Sequence, residues 1–85
     1  MLPYERIPVK TACVSLTSGK AEVIDCEGLQ VTMLAQDGDI YIKVSERTPD
    51  DSAYILKSAD SITLCGRFII SGSNAKARLL FCNII

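Results

Sequence analysis

Histidine is absent from this 85-residue sequence, and its glycines occur only singly. Without histidine the chain lacks the commonest general base of enzymes, and isolated glycines form no phosphate-binding loop. The acid pairs Asp37/Asp39 and Asp50/Asp51 stand in turn contexts, where aspartate commonly caps its own backbone. We therefore expect no catalytic residue, no cofactor and no enzymatic activity.

An excess of positive charge is also missing. Nine lysines and arginines face ten acidic residues, which gives a net charge of −1. A protein held on nucleic acid or on anionic lipid by charge would carry a basic stripe, so we expect neither partner. A net charge this close to zero does little to keep copies apart, which suits a protein that assembles.

Long apolar stretches are missing too. No window approaches the about 18 apolar residues of a membrane-spanning helix, and the N-terminus lacks the apolar run of a signal peptide. We expect residues 1–8, which carry Leu2, Tyr4 and Ile7 between and beside two prolines, to form an extended arm. Residues 9–85 are then one domain made in the cytoplasm.

Cysteine is present but has no metal-binding spacing. Cys13, Cys26, Cys65 and Cys82 form no C-x-x-C pair, and there is no histidine to complete a mixed site. Each lies in an apolar or alternating run, where a reduced cysteine behaves as a small hydrophobic residue. We expect four reduced, structural cysteines and no metal, with a disulfide or metal role as the alternative.

A period of two, typical of β-strands, runs through most of the sequence. Hydrophobic residues make up 48% of the chain, which excludes disorder. Turn residues such as Ser18-Gly19 separate the alternating runs at intervals of about ten residues. The pattern predicts an all-β fold, an antiparallel β-sandwich or small barrel of seven to eight short strands.

The clearest predicted unit is a hairpin of residues 29–36 and 39–45 around Asp37-Gly38, a dipeptide that favours a type I′ turn. A two-residue loop pairs Ala35 with Ile40 and Met33 with Ile42, which collects the apolar side chains on one face. The predicted core comprises Val31, Met33, Ala35, Ile40, Ile42 and Val44, joined by Phe68, Ile70, Leu79 and Phe81.

Two segments leave alternatives open. Thr48-Pro49-Asp50-Asp51 has the residues of a helix start with Thr48 as N-cap, although a loop leading into a strand is favoured. The last hairpin turns around residues 72–74, either through a four-residue loop that pairs Ile70 with Ala77 or through a two-residue loop. The shorter loop is disfavoured because it places two arginines opposite each other.

The layout of residues 9–81 resembles the small all-β virion proteins of tailed bacteriophages. "DIYIKVSE" matches their third element, "YILKSADSITL" their fourth and "RFIISGSNAKARLLF" their closing hairpin. Ala59-Asp60 stands where those proteins usually have a Gly-Glu turn. The resemblance implies a capsid-decoration, head-fibre or small tail subunit of the virion. It also implies contact with other virion proteins such as the major capsid protein, and self-association, with a trimer as first guess.

The end of the sequence fits an assembling protein. Leu80, Cys82 and Ile84 alternate with Leu79 and Phe81, so they turn away from the predicted core. A strand that is apolar on both faces is usually buried on both, either against a neighbouring subunit or under a loop of its own chain. We expect assembly contacts at Leu2, Tyr4, Ile7, Leu80, Cys82 and Ile84. The alternative function is a β-sandwich binding module for carbohydrate or a cell-surface partner, for which the exposed aromatic would be Tyr41.

Overall fold

The computed structural model of the chain describes residues 6–84, with only the backbone at residue 84. Its elements are β1 (Arg6–Thr17), β2 (Ala21–Gln36), β3 (Ile40–Lys43), a 3₁₀ turn (Asp50–Ser52), β4 (Tyr54–Leu56), β5 (Ser61–Ser71) and β6 (Asn74–Ile84). The all-β antiparallel fold is confirmed, but residues 6–84 contain six strands rather than seven or eight. They form one sheet in the order β1-β6-β2-β5-β3-β4. Within those residues no helix has the length and hydropathy needed to cross a membrane.

A bend in β2 turns this single sheet into two packed halves. Glu27 and Gly28 both have positive φ, and Gly66 on the neighbouring strand has a φ of 85°. The register between β2 and β5 shifts between Asp25 and Gln30, as expected of a bulge. Residues 21–25 pair with β5, residues 30–34 lie between β5 and β6, and residues 35–36 pair with β6. Glu27 and Gly28 thus bend one continuous strand and do not divide it in two.

The core lies between the two halves and draws on all six strands. Nine of the ten predicted core residues are buried. Val44 is the exception, with 79% of its surface exposed, because β3 ends at Lys43 and the chain then leaves the sheet. The remaining buried apolar residues of the core are Leu16, Ile24, Cys26, Leu56, Ala75 and Ala77.

The predicted hairpin between β2 and β3 is wrong. β3 pairs with β4 and β5 instead, because both sides of β2 are already occupied. On one side lies β6, and on the other Ala35 exchanges backbone hydrogen bonds with Ala59 and Asp60. Asp37 has a φ of 63°, but Gly38 does not share the positive φ of a type I′ turn.

The predicted hairpin between β5 and β6 is also wrong, for either loop length. β2 lies between these two strands, so the connection at residues 72–73 crosses from one half of the sheet to the other. Gly72 permits this crossing: a Cβ there would lie 3.1 Å from the backbone oxygen of Asp39. Gly38 packs against the same place, since its Cβ would lie 3.2 Å from the Cβ of Ala75.

The remaining boundaries differ in detail. The Ser18-Gly19 turn is confirmed, with Lys20 N–H donating to Thr17 O at 3.2 Å. Residues 50–52 form one 3₁₀ turn, and the chain then leads into β4, so the helical turn and the following strand are both present. The N-cap of this turn is Pro49 rather than Thr48. β1 begins at Arg6, three residues before the predicted boundary of the arm at Val9. Residues 1–5 lie outside the described part of the chain.

Candidate functional site

The predicted assembly contacts fall into three groups. Ile7 and Leu80 are exposed, at 43% and 36% of their surfaces. Leu2 and Tyr4 lie outside the described residues, and so does the side chain of Ile84. The expectation that Cys82 is uncovered is wrong: it is 4% exposed, since a small thiol between Pro8 of β1 and Gln30 of β2 is covered by its neighbours across the sheet.

Leu80 belongs to a half-apolar surface on the side of β1, β6, β2 and β5 that faces away from the core. We call this surface the outer face. The register places Thr11, Leu80 and Thr32 in one row across three strands, and Cys13, Arg78 and Leu34 in the next. A shallow depression of about 670 Å³ lies over these six residues.

Thr32 and Arg78 alternate with the two leucines across β2 and β6 on the outer face, and both polar side chains are hydrogen-bonded. Thr32 Oγ1 and Thr63 Oγ1 share a hydrogen bond of 3.1 Å, and Arg78 Nε donates to Gln36 Oε1. Leu34 and Leu80 are diagonal neighbours beside these groups, with 37% and 36% of their surfaces exposed. Protein–protein contacts ordinarily combine exposed apolar side chains with hydrogen-bonded polar groups.

Leu34 is a member of this surface that we did not predict as a contact. The sequence does contain its signal, because leucine interrupts the polar alternation of Thr32 and Gln36 on the outward side of β2. This signal is informative only once β6, which carries Leu80, is known to lie beside β2.

A second concave site shares no lining residue with the depression on the outer face. An open cleft of about 450 Å³ is formed by the β1–β2 turn, β3, the 3₁₀ turn and the β5–β6 connection. We call it the polar cleft. Its lining residues are Ser18, Gly19, Lys20, Ala21, Tyr41, Lys43, Asp50, Ser71, Gly72 and Ser73.

The polar cleft combines one aromatic ring with hydroxyl and charged groups. Tyr41 is 39% exposed, and the Lys43 ammonium forms an ion pair with the Asp50 carboxylate. The hydrogen bond from Lys43, and then its charge, hold the pKa of Asp50 below the usual value for aspartate. An accessible ring beside hydrogen-bonding groups is chemically suited to a hydroxyl-rich ligand.

The four cysteines are all free and divide by exposure. Cys13 and Cys65 are exposed, whereas Cys26 and Cys82 are buried. Burial, and next the nearby Cys65 and Asp25, raise the pKa of the Cys26 thiol. A thiol with a raised pKa is a weak nucleophile and metal ligand. Within residues 6–84, no three His, Cys, Asp or Glu side chains gather where they could hold one metal ion.

Comparison of the chain with protein-family models, with curated proteins and with solved structures gives no match.

Proposed function

We propose that this chain is a structural, non-catalytic component of a bacteriophage particle, an oligomeric capsid-decoration or fibre subunit. The observation that carries the proposal is the outer face, where Leu34 and Leu80 are partly exposed beside hydrogen-bonded polar groups. Contiguous exposed apolar residues usually mark contact sites. Because the net charge is only −1, electrostatic repulsion between copies of the chain does little to oppose that contact.

The backbone at Ala59 agrees with the resemblance to virion proteins. Ala59 has a φ of 75°, a conformation that glycine adopts at far lower cost than alanine. This is the position at which the virion proteins that the chain resembles usually have glycine. A positive φ at Ala59 is compatible with a turn of the kind in which those proteins have glycine.

Light scattering on the purified protein tests the self-association. We expect an oligomer that Leu80→Lys dissociates, because a lysine at the centre of the contact must be desolvated. Ile55→Lys is the matched control: Ile55 is 45% exposed but lies on β4, at the other end of the strand order. A parent protein that stays monomeric at high concentration would refute the assembly role.

The genes that neighbour the coding sequence test the virion assignment separately. Neighbours that encode head or tail proteins would support it, and a run of metabolic genes would contradict it. The gene neighbourhood and light scattering test different parts of the proposal, because a protein can self-associate without being part of a virion.

A binding module for carbohydrate is the second candidate, and the polar cleft favours it. Tyr41 would supply the aromatic platform, and Lys43, Asp50 and Ser71 the hydrogen bonds. A glycan array followed by calorimetry would test this function. Tyr41→Ala should abolish any binding found, whereas Tyr54→Ala should leave it intact, since Tyr54 is 58% exposed outside the cleft.

The outer face alone supplies little association energy. Covering the exposed third of each of two leucines contributes about 0.5–1 kcal/mol per residue, whereas a micromolar complex requires about 8 kcal/mol. A stable assembly of this subunit therefore needs a second source of contact.

A further inference from the structure

The first strand offers unpaired backbone hydrogen-bonding groups. β1 stands at the end of the strand order and pairs only with β6 among residues 6–84. The opposite end of the sheet is β4, a strand of three residues. β1 has twelve residues, so it is by far the longer open edge.

Only one half of this edge is protected against pairing. Natural edge strands are commonly blocked by proline, lysine and bulges, and β1 has all three together: Pro8, Lys10 and a register shift between them. From Thr11 to Thr17 the sequence TACVSLT contains no charge, no proline and no bulge. We call residues 11–17 the open edge, and its length is about 24 Å.

We propose that the open edge pairs with the open edge of a second copy of this chain, antiparallel and about a two-fold axis near Val14. This inference rests on the proposed function, because it supplies the contact that the outer face needs. The two sheets join into one, and their outer faces become continuous.

The distribution of blocking residues fixes the orientation. In an antiparallel pair centred on Val14, Thr11 lies opposite Thr17 of the partner subunit, so residues 6–10 extend beyond the partner's edge. Pro8 and the bulge then need no partner. In a parallel pair the same blocking residues of both copies would lie side by side within the joined strands, which Pro8 and the bulge oppose.

The side chains along the open edge suit self-pairing. Cys13 lies opposite Ser15 of the partner subunit and Ala12 lies opposite Leu16 of the partner subunit, so no like charges meet. Thr11, Ala12, Cys13, Ser15 and Thr17 are exposed, Val14 is half-buried and Leu16 is buried. The outward-facing side chains would form a row of small polar groups beside the outer face.

Thiol cross-linking tests the register, because the chain has one exposed cysteine on the open edge and one away from it. The two copies of Cys13 would be diagonal neighbours on one face, about 7–8 Å apart. Bismaleimidoethane added to the native full chain should give a covalent dimer. Cys65→Ser should retain this dimer, and Cys13→Ser should lose it.

A second variant tests the contact without chemical modification. Cys13→Lys combined with Ser15→Lys places like charges opposite each other across the axis. We expect the dimer dissociation constant to rise by about tenfold or more. The matched control is Ser52→Lys combined with Ser58→Lys, which adds the same charge at exposed positions away from β1. Circular dichroism should show both variants folded.

The outcomes separate the edge contact from the proposed function. A Cys13-dependent cross-link, with dissociation by the edge lysines, supports the inference. An oligomer without that cross-link and insensitive to those lysines, a threefold assembly through the outer face included, overturns the edge contact and leaves the structural role intact. A monomer at high concentration overturns both and would leave the open edge to a strand of another protein.

Discussion

Replacing Met33 by alanine tests the core and the alternation on which it is based. Met33 has no exposed surface and lies in β2 between Ile62 of β5 and Leu79 of β6. The change removes three heavy atoms, and at about 0.8 kcal/mol for each the lost transfer energy is about 2.4 kcal/mol. Strands on both sides limit collapse into the space, so a cavity contribution brings the expected loss to about 3–4 kcal/mol.

A loss of this size is a large part of the total stability. Domains of this length unfold at a cost of about 4–13 kcal/mol, and each kcal/mol lowers the melting temperature by about 4–8 °C. Urea denaturation followed by circular dichroism measures it directly. Should Met33→Ala fail to fold, Met33→Leu provides the milder test, with an expected loss below about 1.5 kcal/mol.

Val44→Ala is the control, because the same alternating pattern assigned Val44 to the core. With 79% of its surface exposed, Val44 should change the free energy of unfolding by no more than about 0.5 kcal/mol. A loss below about 0.5 kcal/mol at Met33, or a loss above about 2 kcal/mol at Val44, would refute the placement of these two residues.

Three further predictions concern thiols, backbone strain and charge. In the native protein, alkylation should modify Cys13 and Cys65 while the two buried cysteines react only after unfolding; fewer than four thiols in the denatured, unreduced chain would reveal a disulfide. Ala59→Gly should raise the free energy of unfolding by about 1 kcal/mol by relieving the positive φ, and destabilisation in urea would count against that conformation. Lys43→Ala should raise the pKa of Asp50 toward the ordinary value for aspartate, as followed by NMR titration. Because the native pKa of Asp50 is lowered, the ion pair stabilises the protein at pH values above the ordinary aspartate pKa, and this stabilisation declines as the pH falls through the lowered pKa. If Lys43→Ala leaves the pKa of Asp50 unchanged, the ion pair is not the cause of the lowered pKa.

Alternation predicted which side of each strand is buried more reliably than which strands are paired. Met33, Ala35, Ile40 and Ile42 are buried as expected, because the face of a side chain depends only on the local period of two. The pairing depends on distant residues. The hairpin rule assumes that successive strands are neighbours in the sheet. Here β6 and β5 lie on the two sides of β2, so β3 cannot pair with it.

In the candidate sites, too, some features follow from the local sequence and others depend on residues that are distant along the chain. The outward direction of Leu80 follows from its position between Leu79 and Phe81, so the sequence was sufficient for it. The cover over Cys82 comes from strands that are distant in sequence. The polar cleft is assembled from four separate segments, none of which contains a motif by itself.

The position of β1 in the sheet has a consequence for the folding kinetics. Among residues 6–84, β1 is hydrogen-bonded to the sheet only through β6, and β6 is bonded to the remaining strands only through β2. Four other strands separate β1 from β6 along the chain. Such a high contact order slows folding to about milliseconds or seconds. We expect β1 to dock last, so that its uncharged half is exposed in folding intermediates and is the segment from which misassembly of this protein begins.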